Sequence, residues 1–275
     1  MAELEGKVAI VTGSGRGIGE QVARRLSAAG ARVVVNDLDG DEARSVAGSL
    51  PTEATVFAAD LTAPGACDDL VATAVDAWGR LDIVVNNAGY AWDAPIHKVT
   101  DEQFQAMLDI HTVVPFRVLR AAAPHLREPA KREAAEGVEV FRKVVNITSL
   151  AGMMGNAGQV SYAAAKGGIV GLTRALAKEW GPLKINVNAV AFGFVETRIT
   201  APAGSGEEIV RGDTKIPLGV SEKARAGLAT MIPLGRSAAP DEAARGVYFL
   251  CSPQSDYVHG QVLNVSGGLA VGMAG

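Results

Sequence analysis

The sequence predicts an α/β protein built on one doubly wound parallel sheet of seven strands, with helices on both faces. Short β-branched runs alternate with longer amphipathic segments, which favours parallel strands joined by right-handed crossovers. Several of the short runs, among them residues 8–11 and 33–35, are continuously apolar, as expected of strands covered on both faces. A chain of 275 residues is long enough for one such domain, and no break in composition separates two cores.

The predicted elements alternate along the chain with two interruptions. Strands are expected at residues 7–12, 32–36, 55–59, 82–86, 143–148, 184–190 and 261–265. Helices are expected at residues 19–29, 41–50, 67–78, 101–123, 162–180 and 241–250. The segment 124–142 is charged, mixed in sign and contains two prolines, which predicts a solvated insertion. The segment 193–233 is rich in proline and glycine, and its length predicts a mobile lid over the substrate.

Composition and charge exclude several classes of function. The 26 basic and 30 acidic residues give a formal net charge of −4, which argues against a nucleic-acid partner. The chain has no run of about 18 apolar residues and no basic, apolar leader, so neither a membrane span nor export is expected. Cys67 and Cys251 lie far apart and outside any cysteine–histidine cluster, which predicts a cytoplasmic protein without disulfide or metal site.

A glycine-rich loop follows the first predicted strand and precedes the first predicted helix. Residues 12–19 read Thr-Gly-Ser-Gly-Arg-Gly-Ile-Gly. Glycines permit a tight turn and close approach to a pyrophosphate, and the helix N-terminus presents free N–H groups. A plain strand-to-helix turn is the alternative, but the place of the loop in the first unit of the chain favours a dinucleotide site. The candidate cofactor-binding residues here are Gly13, Gly15, Arg16, Gly17, Ile18 and Gly19.

An acidic residue at the end of the second strand bears on the choice between NAD and NADP. Asp37 can accept hydrogen bonds from the ribose hydroxyls of adenosine, and its charge repels a 2′-phosphate. Arg16 could reach such a phosphate, although its side chain can also turn to solvent. We therefore expect NAD as the cofactor, with NADP less favoured. A solvated strand end or a helix cap is the alternative role for Asp37.

A tyrosine and a lysine four residues apart begin a predicted helix. Tyr162 and Lys166 share one helix face, so both can approach one site. A nearby ammonium and a cationic nicotinamide ring both stabilise a phenolate, which favours proton exchange near neutral pH. Ser149 ends the fifth strand at the same rim of the sheet, where ligands of parallel sheets bind. Taken alone, the pair could lie on the surface, and Ser149 could be a turn residue.

These motifs together resemble the short-chain dehydrogenase/reductase superfamily over nearly the whole chain. Residues 60–61, 86–89 and 188–197 contribute to the resemblance beside the loop and the Ser–Tyr–Lys set. The resemblance implies one Rossmann-type NAD(P)-binding domain over residues 1–275. It implies cofactor contacts at Asp60, Leu61, Asn87, Ala88, Gly89, Val195 and Thr197, a substrate contact at Ser149, acid/base catalysis by Tyr162 and ribose binding by Lys166. Asp60 and Asn87 could alternatively be turn formers.

Two positions depart from the family pattern. His111 occupies the place where relatives carry an asparagine that holds a water in the proton relay from the lysine. A histidine can hold a water too, and it titrates near neutral pH, so His111 is a fourth catalytic candidate; a packed helix histidine is the alternative. Phe192 replaces the proline of a Pro-Gly pair, which removes a fixed φ at the start of the predicted lid.

The resulting hypothesis is an oxidoreductase that transfers hydride between a nicotinamide cofactor and a secondary alcohol or ketone. Residues 155–159 and 194–197 most resemble bacterial 3-oxoacyl-[acyl-carrier-protein] reductases, and His111 is similar to that of (3R)-hydroxyacyl-CoA dehydrogenases. The runner-up is an NADPH-dependent 3-oxoacyl reductase, and a different class is a catalytically silent dinucleotide sensor. Two predicted helices with surplus apolar and small residues, together with the resemblance, predict a homotetramer.

Overall fold

The computed structural model describes residues 2–211 and 214–270, so residues 1 and 271–275 of the predicted domain lie outside it. Its strands are β1 (Val8–Val11), β2 (Arg32–Asp37), β3 (Ala54–Ala58), β4 (Ile83–Asn86), β5 (Arg142–Ser149), β6 (Ile185–Phe192), β7 (Glu208–Arg211), β8 (Thr214–Pro217) and β9 (Val262–Val265). Its α-helices are α1 (Gly17–Ala28), α2 (Gly40–Gly48), α3 (Ala66–Trp78), α4 (Asp101–Leu108), α5 (Val114–Ala135), α6 (Leu150–Met154), α7 (Val160–Trp180), α8 (Glu222–Met231) and α9 (Pro240–Cys251).

Seven strands form one parallel sheet in the order β3-β2-β1-β4-β5-β6-β9. The chain builds outward from β1 to β3 and then crosses back to place β4 on the other side of β1. Open α/β sheets bind ligands at the carboxyl ends of their strands beside such a reversal. The predicted fold class is confirmed, and each of the seven predicted strands pairs in this sheet.

Strand β1 shows why the central strands are apolar throughout. Val8 and Ile10 belong to the hydrophobic cluster on one face of the sheet, while Ala9 and Val11 belong to the cluster on the other. All four side chains are fully buried. Helices α1, α2 and α9 supply apolar side chains to the second face, and α3, α5 and α7 supply them to the first.

The helix predicted at residues 101–123 is longer and less regular than expected. A π turn, Asp109–Val113, joins α4 to α5, and α5 continues through two prolines to Ala135. The predicted solvated insertion over residues 124–142 is therefore wrong for its first twelve residues. Buried Leu126 and Ala130 hold the extension against the core, and Arg142 at the start of β5 makes two hydrogen bonds of 2.6 and 2.8 Å to the Glu133 carboxylate.

The segment predicted as a lid contains an antiparallel hairpin and a helix. Strands β7 and β8 pair with each other, and α8 follows them. Residues 212 and 213 of the predicted lid lie outside the described residues. Ile216 of β8 is fully buried, so the hairpin packs on the body of the domain. Across residues 2–211 and 214–270, no helix has the length and apolar character needed to cross a membrane.

Candidate active site

A cavity of about 630 Å³ lies at the carboxyl ends of the central strands, beside the reversal in strand order. The predicted residues that line it are Gly13, Arg16, Gly17, Ile18, Gly19, Asp37, Asp60, Leu61, Asn87, Ala88, Gly89, His111, Ser149, Tyr162, Lys166, Val195 and Thr197. Gly15 is the exception: its backbone N–H instead donates to Asp37 Oδ2 over 2.9 Å. The structure thus brings residues from eight separate stretches of the chain to one site.

The glycine loop packs closely against neighbouring backbone and leaves the N-terminus of α1 open. Gly13 has a φ of +62°, and a Cβ there would lie 2.7 Å from the Cα of Ala88. A Cβ on Gly19 would lie 2.1 Å from the carbonyl oxygen of Gly13. Helix α1 begins at Gly17, and its capping position forms no side-chain hydrogen bond to the first turn. The first N–H groups of α1 are therefore free to donate hydrogen bonds to an anionic ligand.

Thr12 connects this loop to the next stretch of the cavity wall. Its buried hydroxyl oxygen accepts hydrogen bonds from the backbone N–H groups of Asn87 and Ala88, over 2.9 and 3.0 Å. The Asn87 amide in turn donates to the carbonyl oxygens of Thr12 and Gly13, each at 2.9 Å. Asn87 therefore serves as a backbone-binding residue that shapes the cavity. The sequence indicates Thr12 only as part of the glycine loop. Its role as the acceptor of two backbone hydrogen bonds becomes visible only in the fold.

Asp37 and Arg16 line the end of the cavity beside β2, which we call the adenosine end after the group that the family resemblance places there. Asp37 accepts from the N–H groups of Gly15 and Asp39, which fix its carboxylate beside the loop. The Arg16 guanidinium lies 2.6 Å from Asp39 Oδ2 and 3.7 Å from Glu42 Oε1. Asp39 thus neutralises the Arg16 guanidinium, the cation that could otherwise reach a 2′-phosphate. The sequence alone does not indicate Asp39 as a site residue.

Asp60 and Leu61 form the side of the cavity next to β3. The Asp60 carboxylate accepts hydrogen bonds from the N–H and hydroxyl of Thr62, over 2.9 and 2.7 Å. This is the local turn expected as the alternative role for Asp60, and it coexists with its place in the cavity lining. Leu61 is buried in the core.

Tyr162 and Lys166 lie one turn apart on α7, opposite the end of β5. The Lys166 Nζ donates to the carbonyl oxygen of Ile147 over 2.8 Å and lies 5.7 Å from the centroid of the Tyr162 ring. Burial lowers the pKa of Lys166 to about 7, because the interior disfavours its charge. Loss of water around the phenol raises the pKa of Tyr162 to about 12, an increase that a hydrogen bond with Ser149 partly offsets.

His111 lies beside this pair in the π turn, an irregularity that often accompanies functional sites. Its Nε2 lies 2.7 Å from the carbonyl oxygen of Tyr90, which can only accept, so Nε2 carries the proton. Its Nδ1 is buried without a hydrogen-bond partner among the described residues. The His111 ring meets the Tyr162 ring edge to face, with centroids 5.1 Å apart.

The prediction that His111 titrates near neutral pH is wrong, because its surroundings disfavour the charged imidazole. Burial and the neighbouring Lys166 ammonium hold the pKa of His111 well below its usual range. This environment favours the neutral imidazole, in which Nδ1 is a hydrogen-bond acceptor. Gly89 permits this placement, because a Cβ there would lie 2.2 Å from His111 Cε1.

The end of β6 and the hairpin close the remaining side of the cavity. Val195 and Thr197 line it as expected, and Phe192 lies at the end of β6 with its side chain mostly buried. The hairpin adds a wall that sequence reasoning could not assign, formed by Glu208, Ile209, Val210 and Leu218. Among the described residues, no group of three or more histidine, cysteine, aspartate or glutamate side chains could hold a metal ion.

A parallel sheet with a glycine loop at its strand reversal, and with serine, tyrosine and lysine at the same cavity, defines a dinucleotide-dependent oxidoreductase. Comparison with known proteins agrees, since a family model described as enoyl-(acyl carrier protein) reductase matches residues 13–270. The chain belongs to the short-chain dehydrogenase/reductase superfamily, as the resemblance of its motifs implied.

The similar proteins extend over nearly the whole chain. The 3-oxoacyl-[acyl-carrier-protein] reductase FabG of Thermotoga maritima is 34% identical over 271 residues, covering 98% of this chain and 99% of that protein. FabG of Escherichia coli is 32% identical over 266 residues, covering 97% and 98% respectively. A crystal structure of 3-ketoacyl-(acyl-carrier-protein) reductase from Brucella melitensis complexed with NADH has a TM-score of 0.81 and 32% identity, covering 98% of this chain and all of that one.

The role of Thr12 gives a first prediction. Thr12→Val keeps the shape but leaves the N–H groups of Asn87 and Ala88 without their acceptor, so it should lower the free energy of unfolding by about 2 kcal/mol and weaken NADH binding. Thr12→Ser keeps the oxygen and is the matched control, with a loss of about 1 kcal/mol for one methyl group. Urea denaturation and fluorescence titration measure both effects, and equal losses in the two variants would contradict the assigned role.

Proposed function

We propose that the chain interconverts 3-oxoacyl and 3-hydroxyacyl thioesters with NAD(H) as cofactor. Membership of the superfamily makes it a nicotinamide-dependent oxidoreductase that acts on ketone or alcohol groups. The observation that carries the proposal is the meeting of Ser149, Tyr162 and Lys166 in the cavity that the glycine loop also lines. The relatives named as 3-oxoacyl-[acyl-carrier-protein] reductases support the thioester as the substrate class.

The hairpin wall of the cavity suits an acyl chain. Ile209, Val210 and Leu218 line it with apolar surface. Arg198, which lines the same side, donates to Glu207 Oε2 over 2.6 Å and to the Glu208 carbonyl oxygen over 2.7 Å. Because its charge is already compensated there, we expect the substrate group at this wall to be apolar and uncharged.

The chain's own residues divide the chemistry at the substrate oxygen. When bound, the nicotinamide supplies or accepts the hydride at the reacting carbon. In the reducing direction, negative charge develops on the carbonyl oxygen, where the Ser149 hydroxyl donates a hydrogen bond and Tyr162 delivers a proton. The Ser149 oxygen accepts from the Ala151 N–H over 3.2 Å, and this hydrogen bond orients the hydroxyl.

Lys166 contributes position and charge. A protonated lysine has three N–H donors, and the Ile147 carbonyl occupies one of them, which leaves two for the ribose hydroxyls of a cofactor. Its ammonium also stabilises a phenolate on Tyr162 one turn away, so it assists proton release in either direction. We assign His111 to the proton relay as a neutral acceptor, with Nδ1 able to hold a water.

Tyr162→Phe tests the proposed function. The variant keeps the ring and removes only the hydroxyl, so NADH affinity and fold should survive while turnover of a 3-oxoacyl thioester falls by about 10²-fold or more. Tyr257→Phe, which removes a hydroxyl from a fully exposed ring, is the control and should match the wild type. Oxidation of NADH followed by absorbance measures both. A wild type without turnover would favour the silent dinucleotide sensor, and turnover that Tyr162→Phe leaves unchanged would contradict the role of Tyr162.

The cofactor preference gives a second test. Because Asp37 faces the adenosine end, NADH should bind more tightly than NADPH at physiological salt, and Asp37→Ser should narrow the gap by about 1–3 kcal/mol. Asp37→Asn removes the charge but keeps an acceptor for the Gly15 N–H, so it separates repulsion from loop geometry. Tighter NADPH binding by the wild type would establish the NADPH-dependent alternative.

His111 gives a third test, which differs from the one that a titrating histidine would need. Since its pKa lies well below neutrality, His111→Asn should retain turnover and leave both limbs of the pH profile in place. His111→Leu removes the acceptor and should lower kcat by about 10-fold. A shift of the acidic limb in His111→Asn would mean that the imidazole is charged in the working enzyme.

We also propose that the protein is a homotetramer. Phe104 and Phe116 are exposed on α4 and α5, and α7 presents the exposed small residues Ala164, Gly168 and Gly171. Small residues allow close approach of a second helix, and apolar side chains favour its burial. Light scattering at micromolar concentration should give about four times the 28.4 kDa chain mass. A monomeric mass would refute the proposed tetramer.

The cytoplasmic location of the protein stays a prediction.

A further inference from the structure

We propose that Asp39 determines cofactor specificity together with Asp37, because it holds Arg16, the one cation among the described residues at the adenosine end that could receive a 2′-phosphate. The proposal rests on the proposed preference for NAD(H). Among the described residues that line the adenosine end of the cavity, Arg16 is the only cation, and Asp37, Asp39 and Asp60 are the carboxylates. The Arg16 Nη2 lies 2.6 Å from Asp39 Oδ2, so its charge is already compensated.

Asp39 is held in place by a second set of contacts, independent of Arg16. It is the N-cap of α2, and its Oδ1 accepts from the N–H groups of Asp41 and Glu42 over 3.1 and 3.3 Å. The hydrogen bond from the Glu42 N–H, followed by that from Arg16, lowers the pKa of Asp39, which stays ionised. One oxygen caps the helix while the other binds the guanidinium. Arg16 therefore has a fixed partner.

The consequence for a phosphorylated ribose follows from charge. A 2′-phosphate at this end meets the Asp37 carboxylate and needs Arg16 as its counter-ion. To provide it, Arg16 must leave Asp39 as well as Glu42, whose Oε1 lies 3.7 Å away. The Arg16–Asp39 ion pair is half exposed and adds little to stability, so its effect is on the ligand that Arg16 can bind.

Replacement of Asp39 tests the proposal by binding alone. Asp39→Ser keeps a side-chain oxygen for the helix cap and removes the charge that holds Arg16. The ratio of the dissociation constants of NADPH and NADH, measured by fluorescence titration, should fall about 10-fold. Asp41→Asn is the matched control, because Asp41 lies in the same first turn but pairs with Arg44 at 2.7 Å. It removes an equal charge without releasing Arg16, so the ratio should change less than about 2-fold.

Two further variants complete the test. Arg16→Ala in the Asp39→Ser background should restore the ratio of the wild type, since the released cation is gone. Glu42→Gln added to Asp39→Ser should lower the ratio further, since the second carboxylate near Arg16 is removed. An equal effect of Asp39→Ser and Asp41→Asn, or a gain in NADPH affinity that survives Arg16→Ala, would overturn the role of Asp39. Tighter NADPH binding by the wild type would overturn the cofactor preference instead, whatever the variants do.

Discussion

The arrangement of the active site depends on two hydrogen bonds that join α7 to β5. The Lys166 Nζ donates to the Ile147 carbonyl, and the Lys166 carbonyl accepts from the Thr148 hydroxyl over 2.7 Å. The helix donates one of these hydrogen bonds and the strand donates the other, at adjacent strand residues. Together they fix the position of α7 along β5 and its rotation about its own axis. Tyr162, one turn earlier, is thereby placed at the end of β5, where Ser149 is the N-cap of α6.

The same fastening sets the electrostatics of the cavity. Lys166 is almost fully buried, which lowers its pKa, and its charge contributes to the low pKa of His111. The π turn that carries His111 is itself joined to α7, since the Thr112 hydroxyl donates to the Ala165 carbonyl over 2.9 Å. The catalytic end is thus positioned by side chains bonded to backbone carbonyls. The dinucleotide end is shaped by glycines and by the Thr12 hydroxyl, which binds two backbone N–H groups.

Much of this could be predicted from the sequence because it follows from local pattern. The apolar run of β1 predicts a strand buried on both faces, and the glycine loop predicts a close approach between backbones. The course of α5 could not be predicted in this way. Its prolines argue locally for an end to the helix, whereas buried Leu126 and Ala130 sustain it through tertiary contacts.

The site shows the same division between local pattern and tertiary contact. Tyr162, Lys166 and Ser149 carry signals in their spacing, but the pKa of His111 depends on burial by residues distant in sequence. Asp39 and Arg16 are 23 positions apart in the sequence. Their ion pair could be recognised only in the fold, which places β2 beside the glycine loop. Gly15, expected to bind the cofactor, donates its backbone N–H to Asp37, a pairing that likewise requires the fold.

The proposed chemistry depends on a Lys166 side chain that is desolvated one turn from Tyr162. The most direct measurement is an NMR titration of the cofactor-free protein with ¹³C-labelled lysine side chains, in which Lys166→Arg assigns the resonance and Lys143→Arg identifies the other buried lysine. We expect the Lys166 signal to titrate with a midpoint near the pKa of about 7 that burial imposes. A midpoint near 10.5, the ordinary pKa of an exposed lysine, would show that Lys166 is not desolvated.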